Sequence, residues 1–228
     1  MTKRFSKAAA AAFLLTAIGV AMSVDGLQAQ QGAERDRALL DAAERGEIVA
    51  VRQLVAQGAR INWRDHRGRS PLLAATQRNR IEVAKFLIQE GADVNTKDLI
   101  QDTPFLYAGA EGRVEILRLM LAAGADLKDT NRFGGTALIP AAHRGHVETV
   151  KLLLTTKIDK DHVNNLGWTA LMEAVVLGDG GPAHTEIVRL LVEAGANVNI
   201  PDRDRITPLA HAKQRGYAEI VRILSSAR

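Results

Sequence analysis

Cysteine is absent from the sequence. That absence excludes disulfides, thiolate metal ligands, a cysteine nucleophile and lipid attachment through a thiol. Aromatic side chains are scarce, at 4% of 228 residues, although 46% of the residues are hydrophobic. Such a mix, dominated by alanine and leucine, suits helices packed through small and branched side chains and argues against an aromatic-rich β-sandwich. Catalytic motifs are missing too. There is no G-x-S-x-G elbow, and the cluster Gly178-Asp179-Gly180-Gly181 lacks the Lys-Ser/Thr that a phosphate-binding loop needs. No Ser-His-Asp arrangement stands out beyond what any chain of this length offers. No enzymatic activity and no cofactor are expected.

Charge of one sign is also in short supply once the N-terminus is set aside. Lys3, Arg4 and Lys7 precede an uncharged run from Ala8 to Val24, and Leu27-Gln28-Ala29 fits a small-residue cleavage site. This three-part layout is that of a secretory signal peptide, and the run is short and alanine-rich for a membrane span. We therefore expect a leader at residues 1–29, a short linker at 30–36, and a periplasmic or secreted mature chain that meets the membrane only transiently. The leader holds three of the 30 basic residues and one of the 26 acidic ones, which leaves 27 and 25 and a net charge of +2. The nominal pI of 9.6 thus belongs partly to the leader. A balanced surface gives no ground for nucleic-acid binding.

What the sequence does have is a period. The segments Ser70-Pro71-Leu72, Thr103-Pro104-Phe105, Thr136-Ala137-Leu138, Thr169-Ala170-Leu171 and Thr207-Pro208-Leu209 recur at spacings of 33, 33, 33 and 38. Gly58-Ala59, Gly91-Ala92, Gly124-Ala125 and Gly195-Ala196 keep the same register, with Lys157-Ile158 in the remaining slot. Two landmarks in phase over five units mean stacked supersecondary repeats. Ser or Thr caps a helix and Pro occupies its first turn. A second helix follows, with Ile187, Leu190, Leu191 and Ala194 as the expected buried face in one unit. A glycine then ends the pair.

At this point the sequence resembles the ankyrin repeat family. The matching segments are SPLLAATQRNRIEVAKFLIQEGADVN, TPFLYAGAEGRVEILRLMLAAGADL, TALIPAAHRGHVETVKLLL, TALMEAVVLG with HTEIVRLLVEAGANVN, and TPLAHAKQRGYAEIVRIL. RALLDAAERGEIVAVRQLVAQGARIN reads as a first, capping unit without the Thr-Pro opening. The resemblance covers about residues 37–228 and implies an all-α solenoid of about six repeats including caps. It also implies β-turn fingers and inner helices that bind other proteins.

Three departures from the pattern carry structural expectations. Gln101 and Arg205 replace the turn glycines Gly68, Gly134 and Gly167. Lys157 replaces a helix-ending glycine, so that turn should be strained or differently shaped. The five extra residues of the penultimate unit, Asp179 to Ala183, read as an exposed loop rather than a helix extension.

Candidate binding residues follow from the register. Leu99, Ile100, Phe133, Leu166 and Trp168 fall on successive fingers, and Val176 and Leu177 end the adjoining inner helix. Contiguous exposed apolar groups mark partner sites, with Phe133 and Trp168 as anchors. Arg132 and Arg144 flank this stripe. His66, Arg67 and Arg69 form a separate basic turn suited to an acidic patch. The histidines offer the alternative of a metal or small-ligand site around His143 and His146. However, such a site lacks further ligands, and His146 and His184 occupy a turn position where the family places a structural histidine. A monomer that binds a protein partner is the function expected, with inhibition of a partner enzyme as a further alternative.

Overall fold

A computed structural model describes residues 24–227. Most of the expected leader, residues 1–23, lies outside the described residues. The described residues form twelve helices: α1 (Val24–Arg45), α2 (Ile48–Ala56), α3 (Pro71–Gln77), α4 (Ile81–Gln89), α5 (Pro104–Ala110), α6 (Val114–Ala122), α7 (Leu138–His143), α8 (Val147–Leu154), α9 (Ala170–Val176), α10 (Pro182–Glu193), α11 (Pro208–Gln214) and α12 (Ala218–Ser226). Consecutive helices pair. The odd-numbered helices form an inner row and the even-numbered ones an outer row, each touching the next member of its own row. Among the described residues there is no β-strand.

The landmarks explain the elements. Ser70, Thr103, Thr169 and Thr207 each accept, through the side-chain oxygen, the N–H three residues on. These are the helix caps the sequence calls for. Two residues past Ser70, Thr103, Thr136 and Thr169, Leu72, Phe105, Leu138 and Leu171 are fully buried, while Leu209 of the last unit is half-buried; Leu87, Met120, Leu153 and Leu191 form the buried column of the outer row. Burying a leucine in this way contributes about 1.5–3 kcal/mol. The outer-row column thus runs through Leu191. Leu190 is only half-buried and Ala194 is exposed, which corrects the buried face expected for α10.

One cap fails, for a local reason. In the other repeat units the residue four past the cap donates its N–H to the cap carbonyl, as Tyr107 does to Thr103. In α7 that residue is Pro140, which has no N–H. The Ile139 N–H takes the Thr136 carbonyl instead, α7 shortens to six residues, and the Thr136 hydroxyl is buried without a partner.

The departures resolve individually. Gln101 and Arg205 adopt φ of 67° and 63°, the left-handed turn that glycine takes in the other fingers. Lys157 does not need that conformation. The Thr155 and Thr156 hydroxyls donate to the Leu152 and Leu153 carbonyls, and the Thr156 hydroxyl accepts the Ile158 N–H. The turn is therefore differently shaped, yet Ile158 is buried where alanine sits in the other units. The inserted segment is exposed at Asp179, Pro182 and Ala183, but it corrects the expectation that it does not extend a helix. Pro182 and Ala183 open α10, which has 12 residues where the other outer helices have eight or nine. The turn before it is pinned: the Tyr217 hydroxyl donates to the Gly178 carbonyl at 3.1 Å, and Asp179 lies 2.8 Å from His184.

α1 runs unbroken through Ala29 and the expected linker at 30–36. From Gln28 onward its side chains are mostly exposed until Asp36, which is buried and accepts both the backbone N–H and the Nε–H of Arg60. Among the described residues no helix is long and apolar enough to cross a membrane.

Candidate functional site

Each finger is built by one side chain. Asp65, Asp98, Asn131, Asn164 and Asp202 accept, through a single oxygen, the N–H groups two and four residues on. Such turns hold the finger backbone rigid and leave its tip side chains pointing outward. Neighbouring fingers are also stitched together, because the Leu99 N–H donates to the Arg67 carbonyl and the Asn165 N–H to the Phe133 carbonyl.

Between these fingers and α5, α7 and α9 lies a cleft of about 470 Å³. Ile100, Phe133, Leu166, Ile139 and Leu177 give it apolar walls, and Tyr107, Pro140, His143 and Glu173 come from the inner helices. Ile100, Phe133, Leu166 and Leu177 are 42–51% exposed, and they lie together rather than singly. The geometry thus brings six of the sequence-predicted residues, these four with Arg132 and Arg144, around one cavity.

The other predicted residues lie elsewhere. Leu99 is 68% exposed on the finger beside the cleft but does not line it. Trp168 and Val176 are half-buried and do not line this cleft. In the basic turn, His66 and Arg67 are exposed, but Arg69 is consumed. Its guanidinium bonds Asp65 at 2.9 Å and Glu44 at 3.3 Å, and its side chain is mostly buried, which removes it as a free cation for a partner. The cleft arginines are also engaged: Arg132 lies over the Phe133 ring at 4.6 Å, and Arg144 pairs with Glu111 and donates to the Ala110 carbonyl. An exposed cation–π contact of this kind contributes about 0.5–1 kcal/mol and orients the ring.

His143 and His146 do not form a joint site. His143 lines the cleft, with Nδ1 3.6 Å from Glu173 Oε2, whereas the His146 ring packs on Gly112. His184 Nε2 lies 2.8 Å from the His143 carbonyl, the structural role expected of it. Among the described residues no group of three or more His, Asp or Glu side chains is placed to hold a metal.

Sequence reasoning missed the polar floor. Asn164 Nδ2 donates to Glu173 Oε1 at 2.8 Å, and Glu173 is 6% exposed. Burial pushes the Glu173 carboxyl up from its ordinary value, and burial with the nearby Asp98 charge does the same to Asp102. Burial and the Arg144 charge hold the His143 imidazole below its usual range. A signal was present in the repeat alignment. Finger and inner helix carry complementary groups nine residues apart in two units, Asn164 with Glu173 and Asp202 with His211, the latter pair 2.7 Å apart.

Comparisons with known proteins agree with this architecture. The model for ankyrin repeats (3 copies) matches residues 8–98 and 105–202. A putative ankyrin repeat protein of Escherichia coli, YahD, is 46% identical over 55 residues, which is 24% of this chain and 27% of that protein. An ankyrin repeat domain from Acinetobacter baumannii superposes with a TM-score of 0.81 at 54% identity, covering 83% of this chain and 96% of that one. The ankyrin repeat domain of Bcl-3, described as a unique member of the IkappaB protein family, gives 0.75 at 29% identity, with 83% and 85% covered. With the period, the capped helix pairs and these matches in agreement, the chain belongs to the ankyrin repeat family.

Proposed function

We propose that this protein is a non-catalytic scaffold that docks a protein partner in the cleft between the fingers and α5, α7 and α9. The observation that carries the reading is the exposure of Ile100, Phe133, Leu166 and Leu177 around one cavity, on a finger backbone held by paired hydrogen bonds. A rigid, preorganised face loses little entropy on binding, and burying its aromatic and aliphatic groups supplies the affinity. To test this, a photo-crosslinking residue is placed at Leu166 and, as a control, at Val49 on α2, which is also an exposed apolar position. Partner adducts should form from position 166 and not from 49. Adducts from 49 alone would move the interface to the outer face.

The scaffold acts, in this proposal, in the periplasm or outside the cell after removal of residues 1–29. The basic residues Lys3, Arg4 and Lys7, the uncharged run and the Leu27-Gln28-Ala29 site support export. Cleavage there would leave the buried anchor Asp36 and everything after it in place. Intact-mass measurement on protein from the native host should find a chain starting at Gln30. A membrane-bound species that retains Met1 would contradict export by cleavage.

A further inference from the structure

The floor of the cleft holds a carboxylate whose electrostatic partner is missing. A charge taken out of water is costly unless it is paired and hydrogen-bonded. Among the other charged side chains of the cleft, Arg144 pairs with Glu111, while Arg132 lies over the Phe133 ring and, at 3.8 Å, beyond hydrogen-bonding reach of Asp102. Among the described residues no lysine or arginine pairs with Glu173. Its Oε1 accepts one hydrogen bond, from the neutral Asn164 amide, and its Oε2 stands 3.6 Å from His143 Nδ1, beyond hydrogen-bonding reach.

The final repeat shows what a completed arrangement looks like. There the same helix position carries His211, which meets Asp202 of its own finger at 2.7 Å, acid against base. In the penultimate repeat the acid is on the helix and the finger offers only an amide. The chain therefore builds the acid into the cleft without building its counter-ion.

We propose that the partner supplies this counter-ion: the docked segment carries a lysine whose ammonium reaches Glu173 Oε2 while its apolar neighbours cover Phe133, Leu166 and Leu177. This rests on the cleft being the docking site. Lysine fits better than arginine because Asn164 already occupies Oε1. One open oxygen suits a point donor, whereas a guanidinium fork realises its advantage on two. A lysine stem is also apolar, and packs against the walls while its head reaches the floor. The raised Glu173 carboxyl is consistent with a group that has lost water and gained too little in return.

The test uses the full chain and random peptides displayed on phage. A selected peptide is resynthesised with lysine, arginine or the uncharged norleucine at its basic position. The lysine peptide should bind about tenfold or more tightly than the norleucine one, with arginine between them. Glu173→Gln, which keeps the shape and the Asn164 hydrogen bond, should abolish the difference between lysine and norleucine. Phe133→Ala should weaken all three peptides. Equal binding of lysine and norleucine, or a preference that survives Glu173→Gln, overturns the lysine proposal and leaves cleft docking standing. Peptides unaffected by Phe133→Ala, or the absence of any binding peptide, would overturn both.

Discussion

Glu173 shows how a single residue can give up stability for a site. Its carboxyl value is raised because burial disfavours the charged form. The folded chain thus holds this proton more tightly than the unfolded chain does, and protonation stabilises the fold. Glu173 is least costly below the ordinary carboxylate value, and its cost appears as pH rises through the raised one. His143, 3.6 Å away, is itself held toward the neutral form and does not cancel the charge. We therefore expect Glu173→Gln to melt at a higher temperature than wild type at neutral pH. The gap should close as pH falls toward about 4.5, the carboxyl's ordinary value. Thermal melts of the two proteins across that range check this, and a Gln variant that is less stable at pH 7 would show that Glu173 has a structural role. At this scale the sequence was half legible. Phe133 and Leu166 follow from the finger register, while Trp168 of the same register is half-buried and does not line the cleft, because spacing places a Cα and not a side chain. Glu173 went unnoticed because its meaning depends on Asn164, nine residues earlier, and on burial.

Among the elements, α7 is the one where local rules conflict. Its cap residue is a proper Thr136, yet Pro140 removes the N–H that its carbonyl would receive, and the Thr136 hydroxyl is orphaned. Restoring the donor should help. Pro140→Ala is expected to raise unfolding free energy by about 1 kcal/mol, the net worth of one hydrogen bond, measured by chemical denaturation. Pro140 also lines the cleft, so the same variant changes one of its walls. Helix starts and the period were plain in the sequence because caps and turn residues act within four positions. The inserted segment was misread for the same reason: Gly180-Gly181-Pro182 signals a break locally, while the contacts that pin it come from Tyr217 and His184. Residues 24–45 likewise form one helix across the positions where leader and linker were expected, a continuity with no local signature in the sequence.

At the scale of the whole stack, the described helix pairs pack mainly on their neighbours, so stability is a sum of local and interface contributions. Damage should therefore stay near where it is made. Leu191→Ala, at a fully buried outer-row position, should cost about 2–5 kcal/mol through the cavity it leaves. By hydrogen exchange the loss of protection should centre on α9 to α12, with α3 and α4 little changed. Uniform loss along the chain would show that the stack unfolds as one unit. The same modularity makes the central functional claim measurable, since finger tips can be truncated without touching the core. The direct measurement is the affinity of the cross-linked partner for wild type and Phe133→Ala, with circular dichroism confirming that both are folded. The account predicts a loss of about 2 kcal/mol or more, roughly thirtyfold in Kd. A folded Phe133→Ala protein that binds its partner as tightly as wild type would contradict it.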